Sequence, residues 1–389
     1  MIYIYILLTK LFKLFINVFH LGSGLTWPGH LVLKLSPGIL EKELLKGYDK
    51  FILIAGTNGK TTTSKLISFV LERKGIKVVS NKSGANLLNG IVSSLLLDRN
   101  IFNKPRSSIG IFEVDEFALP EVFKRIKPSI LILLNLSRDQ LDRYGETDII
   151  FERWKDAINT YTDKQSEKEK NLTIIADIDQ REFLELTDIY KGKVLYFNDS
   201  DVYLKKTKLY GRHNAKNINA CLVACELLSF NVDECSDLLS EFKPAYGRGE
   251  TILFKGRKYK VFLAKNPTSF NNNLDLIVKG DITGHALLFI LNDGIPDGRD
   301  TSWIYDIEKV PLSNASESRY IYVSGSRCYD MAVRLKHAGV NIEERNIVPS
   351  IASVVKELSK NKNIKEVIVL PNYSSMLDFR KVVLGRKIL

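Results

Sequence analysis

Four cysteines in 389 residues, Cys221, Cys225, Cys235 and Cys328, are too few and too irregularly spaced for a disulfide framework, and no Cys-x-x-Cys pair is present. A reducing compartment suits that usage. Cys221 and Cys225 stand four apart on an expected helix and read as small buried apolar residues. No apolar run approaches the ~20 residues of a membrane-spanning helix. The most apolar stretch, 1–20, is broken by Lys10 and Lys13, and no small-residue cleavage site follows it in the order of a secretory leader. Internal repeats and low-complexity segments are absent, and so is the aromatic-basic stripe of a single-strand nucleic-acid binder. With 45% hydrophobic and 26% charged residues, the composition excludes a disordered chain, a collagen-like fibre and a polytopic membrane protein. Acidic residues are outnumbered, 45 against 56 Lys and Arg, leaving a net charge of +11. That balance suits nucleic acid, phosphorylated small molecules or an anionic membrane surface.

The length predicts two or three domains. Residues 51–55 (Phe-Ile-Leu-Ile-Ala) form a short continuous apolar run, the mark of a buried parallel strand. A glycine loop follows at once, then helical periodicity over 64–73. Further strands are expected at 77–80, 109–114, 130–134, 173–176 and 193–197, with helices between them. This is the α/β pattern of a mostly parallel sheet covered on both faces. Helices at 214–228 and 232–241 lead to the glycine-rich stretch 244–249, the expected boundary. Strands at 258–264, 286–291, 320–323 and 366–370 then predict a second, smaller α/β domain. The charged run 163–171 reads as solvated. Residues 1–20 read as a helix packed on the protein body; the alternative is an amphipathic helix on a membrane face, with Lys10 and Lys13 toward phospholipid.

Four clusters carry chemistry. The first is Gly56, Thr57, Asn58, Gly59, Lys60, Thr61 and Thr62, between a strand and a helix. A phosphate loop needs glycines for close backbone approach, a lysine for the β/γ-phosphates and a hydroxyl for Mg²⁺. Lys60 and Thr61 answer those needs, although the generic spacing places a glycine where Ile54 stands. The second is Glu113, Asp115 and Glu116 at a strand end, where ligands of open α/β sheets gather; carboxylates there suit Mg²⁺. The third is the polar run from Asn135 through Asp139, Gln140 and Asp142 to Gly145. The fourth is Gly211, Arg212, His213, Asn214 and Asn217 opening a helix. Alone, Asn214 reads as a helix cap; it could also read a base edge.

These motifs resemble those of the Mur ligase superfamily, whose nucleotide loop carries its first glycine where Gly56 stands. Residues 135–145 are similar to its Asn-x-x-x-Asp-His-Leu-Asp signature, with Gln140 in place of the histidine. Residues 211–217 resemble its adenine-contacting loop, while Arg248 (in Tyr-Gly-Arg-Gly-Glu) and residues 264–267 resemble its interdomain arginine and following loop. The finer resemblance is to the MurT family, the Mur-ligase-like subunits of lipid II isoglutaminyl synthase. It rests on residues 25–29 (Leu-Thr-Trp-Pro-Gly), 83–90, 266–271, 291–306 and 324–332, and spans nearly the whole chain from about residue 21.

The resemblance implies a Mur-type central ATP-binding domain over 46–243, a Rossmann-like C-terminal domain over 244–389 and an N-terminal helical or extended segment over 1–45. It implies ATP and Mg²⁺ as cofactors, with Gly56 to Thr62, Asn214 and Arg248 on the nucleotide, Thr61 and Glu113 on Mg²⁺, and Lys60 and Glu113 in phosphoryl transfer. The implied reaction is ATP-dependent amidation of the D-glutamate α-carboxylate of lipid II, through an acyl phosphate, with ammonia from a GatD-type glutaminase in a heterodimer. An aspartate completes the glutaminase site in trans. Asp297, Asp300 and Asp306 are the candidates, and Asp300 is the choice. MurT proteins commonly carry a four-cysteine zinc ribbon; residues 177–209 hold no cysteine, so no structural zinc is expected. Cytoplasmic location, peripheral contact with the inner membrane face and no nucleic-acid partner complete the expectation. The alternative is an amino-acid ligase of the Mur or folylpolyglutamate type acting without a glutaminase. Against it stands the chain's length, short for a large N-terminal substrate domain.

Overall fold

The computed structural model describes residues 1–19, 26–81, 85–137, 147–163, 172–243, 247–294, 297 and 299–385. Parts of the motifs above lie outside the described residues: His20, Leu25, Ser83, Gly84, 138–145 with Gln140, 164–171, 244–246, Ile295, Pro296 and Gly298. The chain divides into two compact units. Met1–Leu136, Thr147–Lys208 and Arg212–Lys243 build the first, and the residues from 247 onward build the body of the second.

The first unit is a six-stranded parallel sheet in the order β2-β3-β1-β4-β5-β6. Its strands are β1 (Lys50–Ala55), β2 (Val78–Ser80), β3 (Ile109–Val114), β4 (Ile130–Leu133), β5 (Thr173–Asp177) and β6 (Lys193–Phe197). From Phe51 to Ala55 every residue of β1 is buried, as a strand covered on both faces requires. The register pairs Ile54 with Glu113 and Ala55 with Val114. The carboxyl ends of β1 and β3 therefore lie level, and residues following either strand meet at one place.

Helices α1 (Ile2–Phe19) and α2 (Trp27–Leu35) pack on α4 (Leu88–Asp98), while α3 (Lys60–Arg73) lies against β1, β2 and β3. The Trp-Pro-Gly motif owes its glycine to this packing: a Cβ on Gly29 would stand 1.9 Å from the Asn89 carbonyl oxygen, and the Gly29 N–H donates to Ser93 Oγ at 2.8 Å. Further along come α5 (Leu119–Ile126), α6 (Thr147–Asp163), α7 (Arg212–Leu227) and α8 (Val232–Leu238). The four cysteines are buried and unpaired. No described helix is long and apolar enough to cross a membrane.

The second unit is a six-stranded sheet in the order β11-β10-β9-β12-β8-β7. It comprises β7 (Arg248–Phe254), β8 (Arg257–Phe262), β9 (Ala286–Ile290), β10 (Tyr320–Ser324), β11 (Ile347–Val348) and β12 (Glu366–Pro371). All pairs are parallel except β7–β8. Those two form a hairpin through Lys255 (φ 48°) and Gly256 (φ 73°), the left-handed pair that a two-residue turn demands. Arg248 and Gly249 thus open an edge strand, where sequence reading places only a glycine-rich boundary. An edge tolerates the glycine, and a bulge between Arg248 and Glu250 absorbs it. Among the described residues five helices cover the sheet: α9 (Pro267–Val278), α10 (Lys309–Ser316), α11 (Cys328–His337), α12 (Ile351–Lys360) and α13 (Tyr373–Leu384). Separate apolar clusters fill its two faces.

Candidate active site

The loop from Gly56 to Gly59 joins β1 to α3, which begins at Lys60 rather than at the expected residue 64. Gly59 makes the earlier start possible: it caps α3 at φ 91°, a conformation that costs a side chain roughly 1–2 kcal/mol. Gly56 sits at φ 139°. Neither position has room for a Cβ, which would stand 2.9 Å from the Asn135 backbone at Gly56 and 2.3 Å from Asn217 Oδ1 at Gly59. The N–H groups of the first turn of α3 emerge at the loop, and with the helix dipole they suit an anion.

Two asparagines hold this loop. Asn135, just past β4, accepts from Asn58 N through Oδ1 and donates to the Asn58 carbonyl, both at 2.9 Å; its own carbonyl accepts from Thr57 N at 2.9 Å. Asn217 on α7 accepts from Thr63 Oγ1 at 3.3 Å and donates to Asn214 Oδ1 at 3.1 Å. Asn214 is the third residue of α7, so the cap reading of this residue is corrected: it lies inside the helix and joins Asn217 to the His213 ring. Lys216, from the same motif, fixes α7 to the end of β5 through Asp177 and Asp179, both at 2.8 Å. Burial raises the Asp177 carboxyl above its ordinary range against the pull of Lys216.

The acidic cluster divides its work. Glu113, the penultimate residue of β3, accepts from Thr61 Oγ1 at 2.7 Å. Glu116, on the turn beyond the strand, pairs with Lys60 Nζ at 3.0 Å. The Lys60 ammonium also donates to the Gly56 and Thr57 carbonyls, so the lysine folds back over its own loop. Glu113 is braced by Asn81, which accepts from Glu113 N at 2.9 Å and donates to its carbonyl at 2.7 Å. Trp154 Nε1 donates to the Glu116 carbonyl at 2.8 Å. Lys60, Glu113 and Glu116 are all buried.

Among the described residues no group of three or more His, Cys, Asp or Glu is placed to hold a metal ion. The Thr61 hydroxyl and Glu113 carboxylate supply two oxygen donors side by side. That set fits Mg²⁺, which completes its shell with phosphate oxygens and water.

Comparison with known proteins bears on both units. The family model of the Mur ligase middle domain matches residues 54–225. That of the MurT ligase C-terminal domain matches residues 263–376. Lipid II isoglutaminyl synthase (glutamine-hydrolyzing) subunit MurT of Staphylococcus aureus (strain COL) is 28% identical over 91% of both chains. Its namesake from Streptococcus pneumoniae (strain ATCC BAA-255 / R6) is 25% identical over 95% of this chain and 94% of its own. The chain thus joins a match to the Mur ligase middle domain with a match to the MurT ligase C-terminal domain, and it is similar to MurT subunits along nearly its whole length. The structure of MurF ligase from Thermotoga maritima in complex with ADP shares the fold, with a TM-score of 0.64 at 16% identity over 91% of this chain and 82% of that one.

The MurT-type second unit gathers its motifs at the carboxyl ends of β9, β10 and β12. Asn292 accepts from Ser326 N at 3.0 Å, and Asn372 donates to the Asn292 carbonyl at 2.6 Å. Asn266 opens α9 with a capping box, exchanging hydrogen bonds with Ser269; that MurT motif is a helix start.

The three aspartates differ sharply. Asp297 is buried and accepts from Ser374 N, at 3.1 and 3.2 Å, at the start of α13. Burial raises its carboxyl. Asp300 is exposed and accepts from Ser302 N at 2.8 Å and Ser302 Oγ at 2.9 Å. The Ser302 backbone bond holds its carboxyl below the usual range. Asp306 is exposed as well.

Gly56 to Thr62, Glu113 and Asn214 are thus brought together in the first unit. Arg248, half-buried on β7, and Asp300 belong to the second. Sequence reading set Glu116 among carboxylates suited to Mg²⁺ and Asn217 in the adenine-contacting loop, quoted Asn135 without a role of its own, and passed over Asn81. Asn217 carried a signal, being three residues after Asn214 on one helix face. Asn81 carried none, because its partner is a neighbouring strand.

Proposed function

We propose that this chain is the nucleotide-using subunit of a lipid II isoglutaminyl synthase, amidating the D-glutamate α-carboxylate of the stem peptide to D-isoglutamine. One observation carries the reading: a complete phosphate loop and a MurT-type second unit stand in one chain. A carboxylate resists ammonia because it is anionic and lacks a leaving group, and phosphorylation removes both obstacles. The carboxylate oxygen attacks the γ-phosphorus of ATP and ADP departs. Ammonia then adds to the acyl carbon, phosphate leaves with the C–O electrons, and the nitrogen loses a proton.

Within this reading residues 46–243 bind the nucleotide and 244–389 form the second domain. Gly56, Thr57, Asn58, Gly59 and Thr62 line the phosphates, with Asn214 near the base and Arg248 also assigned to the nucleotide. Lys60 exchanges Glu116 for the β/γ-phosphates, and its charge offsets that gathering in phosphoryl transfer. Thr61 and Glu113 would hold Mg²⁺, which supplies charge neutralisation at the phosphates. Ammonia comes from a GatD-type glutaminase, whose site Asp300 completes by orienting a histidine. Asp300 suits that part better than Asp297, which α13 already engages. The place of action is the inner membrane face, where lipid II is made.

The test is direct. The chain, a GatD-type glutaminase, lipid II, glutamine and Mg·ATP are combined, and stem-peptide masses are read. A hydroxyl exchanged for an amino group is the expected change; none, with both proteins folded, would sink the proposal.

A further inference from the structure

Helix α1 is buried along one narrow side only. Tyr5, Ile6, Thr9 and Ile16 face the protein. Ile4, Leu7, Leu8, Leu11 and Leu14 are each more than half exposed. At helical spacing these five fall within one half of the circumference, opposite the packed side. Its neighbour α2 repeats the pattern with Trp27, Leu31 and Leu35, also more than half exposed. Two adjoining helices thus present apolar side chains that nothing in the described protein covers, well beyond the scattered single residues of an ordinary surface.

Charge indicates what covers them. Beside the packed side of α1, Lys10 and Lys13 line a cavity of about 270 Å³ together with Leu14, Leu97 and Arg106. Three cations and no carboxylate line it. The acid nearest Lys10 is Asp98, already engaged by the Tyr48 hydroxyl at 2.8 Å and Ser107 Oγ at 2.7 Å. Lysines are depleted from the cores of protein–protein interfaces. Cations beside an apolar helix face, with a tryptophan close by, match the acyl, phosphate and interfacial layers of a phospholipid leaflet.

No described helix is long and apolar enough to span such a leaflet, and α1 suits its surface instead. Eighteen residues reach about 27 Å, short of the ~30 Å hydrocarbon core, and the lysines stand at mid-helix.

We propose that α1 and α2 dock the protein on an anionic phospholipid bilayer, the apolar side of α1 entering the acyl region while Lys10, Lys13 and Arg106 hold a lipid phosphate. Lipid II resides in a bilayer, so this surface extends the amidation reading, but its test does not pass through amidation.

The full chain is sedimented with phosphatidylcholine vesicles, with and without phosphatidylglycerol, in the absence of ATP and lipid II. Wild type binds the anionic vesicles. Leu7→Glu with Leu11→Glu weakens that binding about ten-fold or more. Lys10→Ala, Lys13→Ala and Arg106→Ala each cost about five-fold on anionic vesicles alone. Thermal melting and sedimentation velocity are run on every variant. A wild type that dimerises through this face and ignores vesicles overturns the proposal, as do folded glutamate variants that bind normally, or alanine variants that keep the anionic preference. If the glutamate variants fail to fold, the unmodified chain decides: vesicles with brominated acyl chains quench its tryptophan emission through Trp27, since Trp154 is buried in the core and Trp303 packs against the core of the second unit, and absence of quenching overturns the docking.

Discussion

Lys60 Nζ stands 3.0 Å from the Glu116 carboxylate, and both side chains are almost wholly withdrawn from solvent. The loop lysine therefore has a counter-ion before any nucleotide arrives. In the proposed reading a phosphate must displace that carboxylate, so Glu116 competes with it for the lysine's charge. Breaking a buried pair by removing one partner leaves the other uncompensated, at a cost of about 3 kcal/mol.

Glu116→Gln should accordingly lower the melting temperature of the nucleotide-free protein, and Mg·ATP should restore most of the loss by providing the missing anion. Lys60→Ala should abolish amidation while sparing association with the glutaminase. Differential scanning with and without nucleotide checks the first, and pull-down beside an amidation assay checks the second.

Gly59→Ala meets Asn217 Oδ1 and a left-handed backbone together. Gly75→Ala, at φ 81°, meets the backbone cost alone, with nothing within 4 Å of the new Cβ. Gly75→Ala should lose roughly 1–2 kcal/mol of stability, and Gly59→Ala more than that because of the added clash. Only Gly59→Ala should lose nucleotide binding, read by titration calorimetry.

Asn135→Ala removes both side-chain hydrogen bonds to Asn58. At about 1 kcal/mol each, the expected result is a KM for ATP raised by about ten-fold or more, with a smaller change in kcat. Asn135→Asp keeps the acceptor for Asn58 N and loses the donor, so its KM should fall between those of wild type and Asn135→Ala.

Asp300→Asn should abolish glutamine-driven amidation and leave ammonia-driven amidation largely intact. Asp297→Ala should instead lower stability by about 1 kcal/mol, the usual cost of a lost helix-start partner, and impair both reactions alike. Equal loss of the two reactions in a folded Asp300→Asn would reassign that residue.

Much of this fold is legible because parallel strands bury both faces and so appear as apolar runs: β1 and β4 are of this kind, and so is β3 as far as Glu113. Strand β7 is not, since Arg248, Gly249 and Glu250 carry no such run, and an antiparallel edge needs none. The lysine and threonine of the loop are legible from spacing. Which carboxylate meets which is hidden, because β3 ends at Val114, leaving Glu113 on the strand and Glu116 on the turn beyond. The bracing by Asn81 is set by the β2–β3 register, a long-range fact that local pattern does not carry. The apolar residues of α1 are legible, but a packed side and an exposed side are separated only when α4 is in place.

The position of β1 has a consequence for synthesis. This strand lies at the middle of its sheet, yet its two partners are about sixty and eighty residues further along the chain, Lys50 pairing with Ile109 and Ala55 with Leu133. At ribosomal speeds of about 5–20 residues per second, several seconds separate the emergence of Phe51–Ala55 from that of the last strand beside it. For that interval this apolar strand, with the loop that follows it attached, has no ladder to join. A chaperone that shelters short apolar strands on the nascent chain is the natural custodian of that delay.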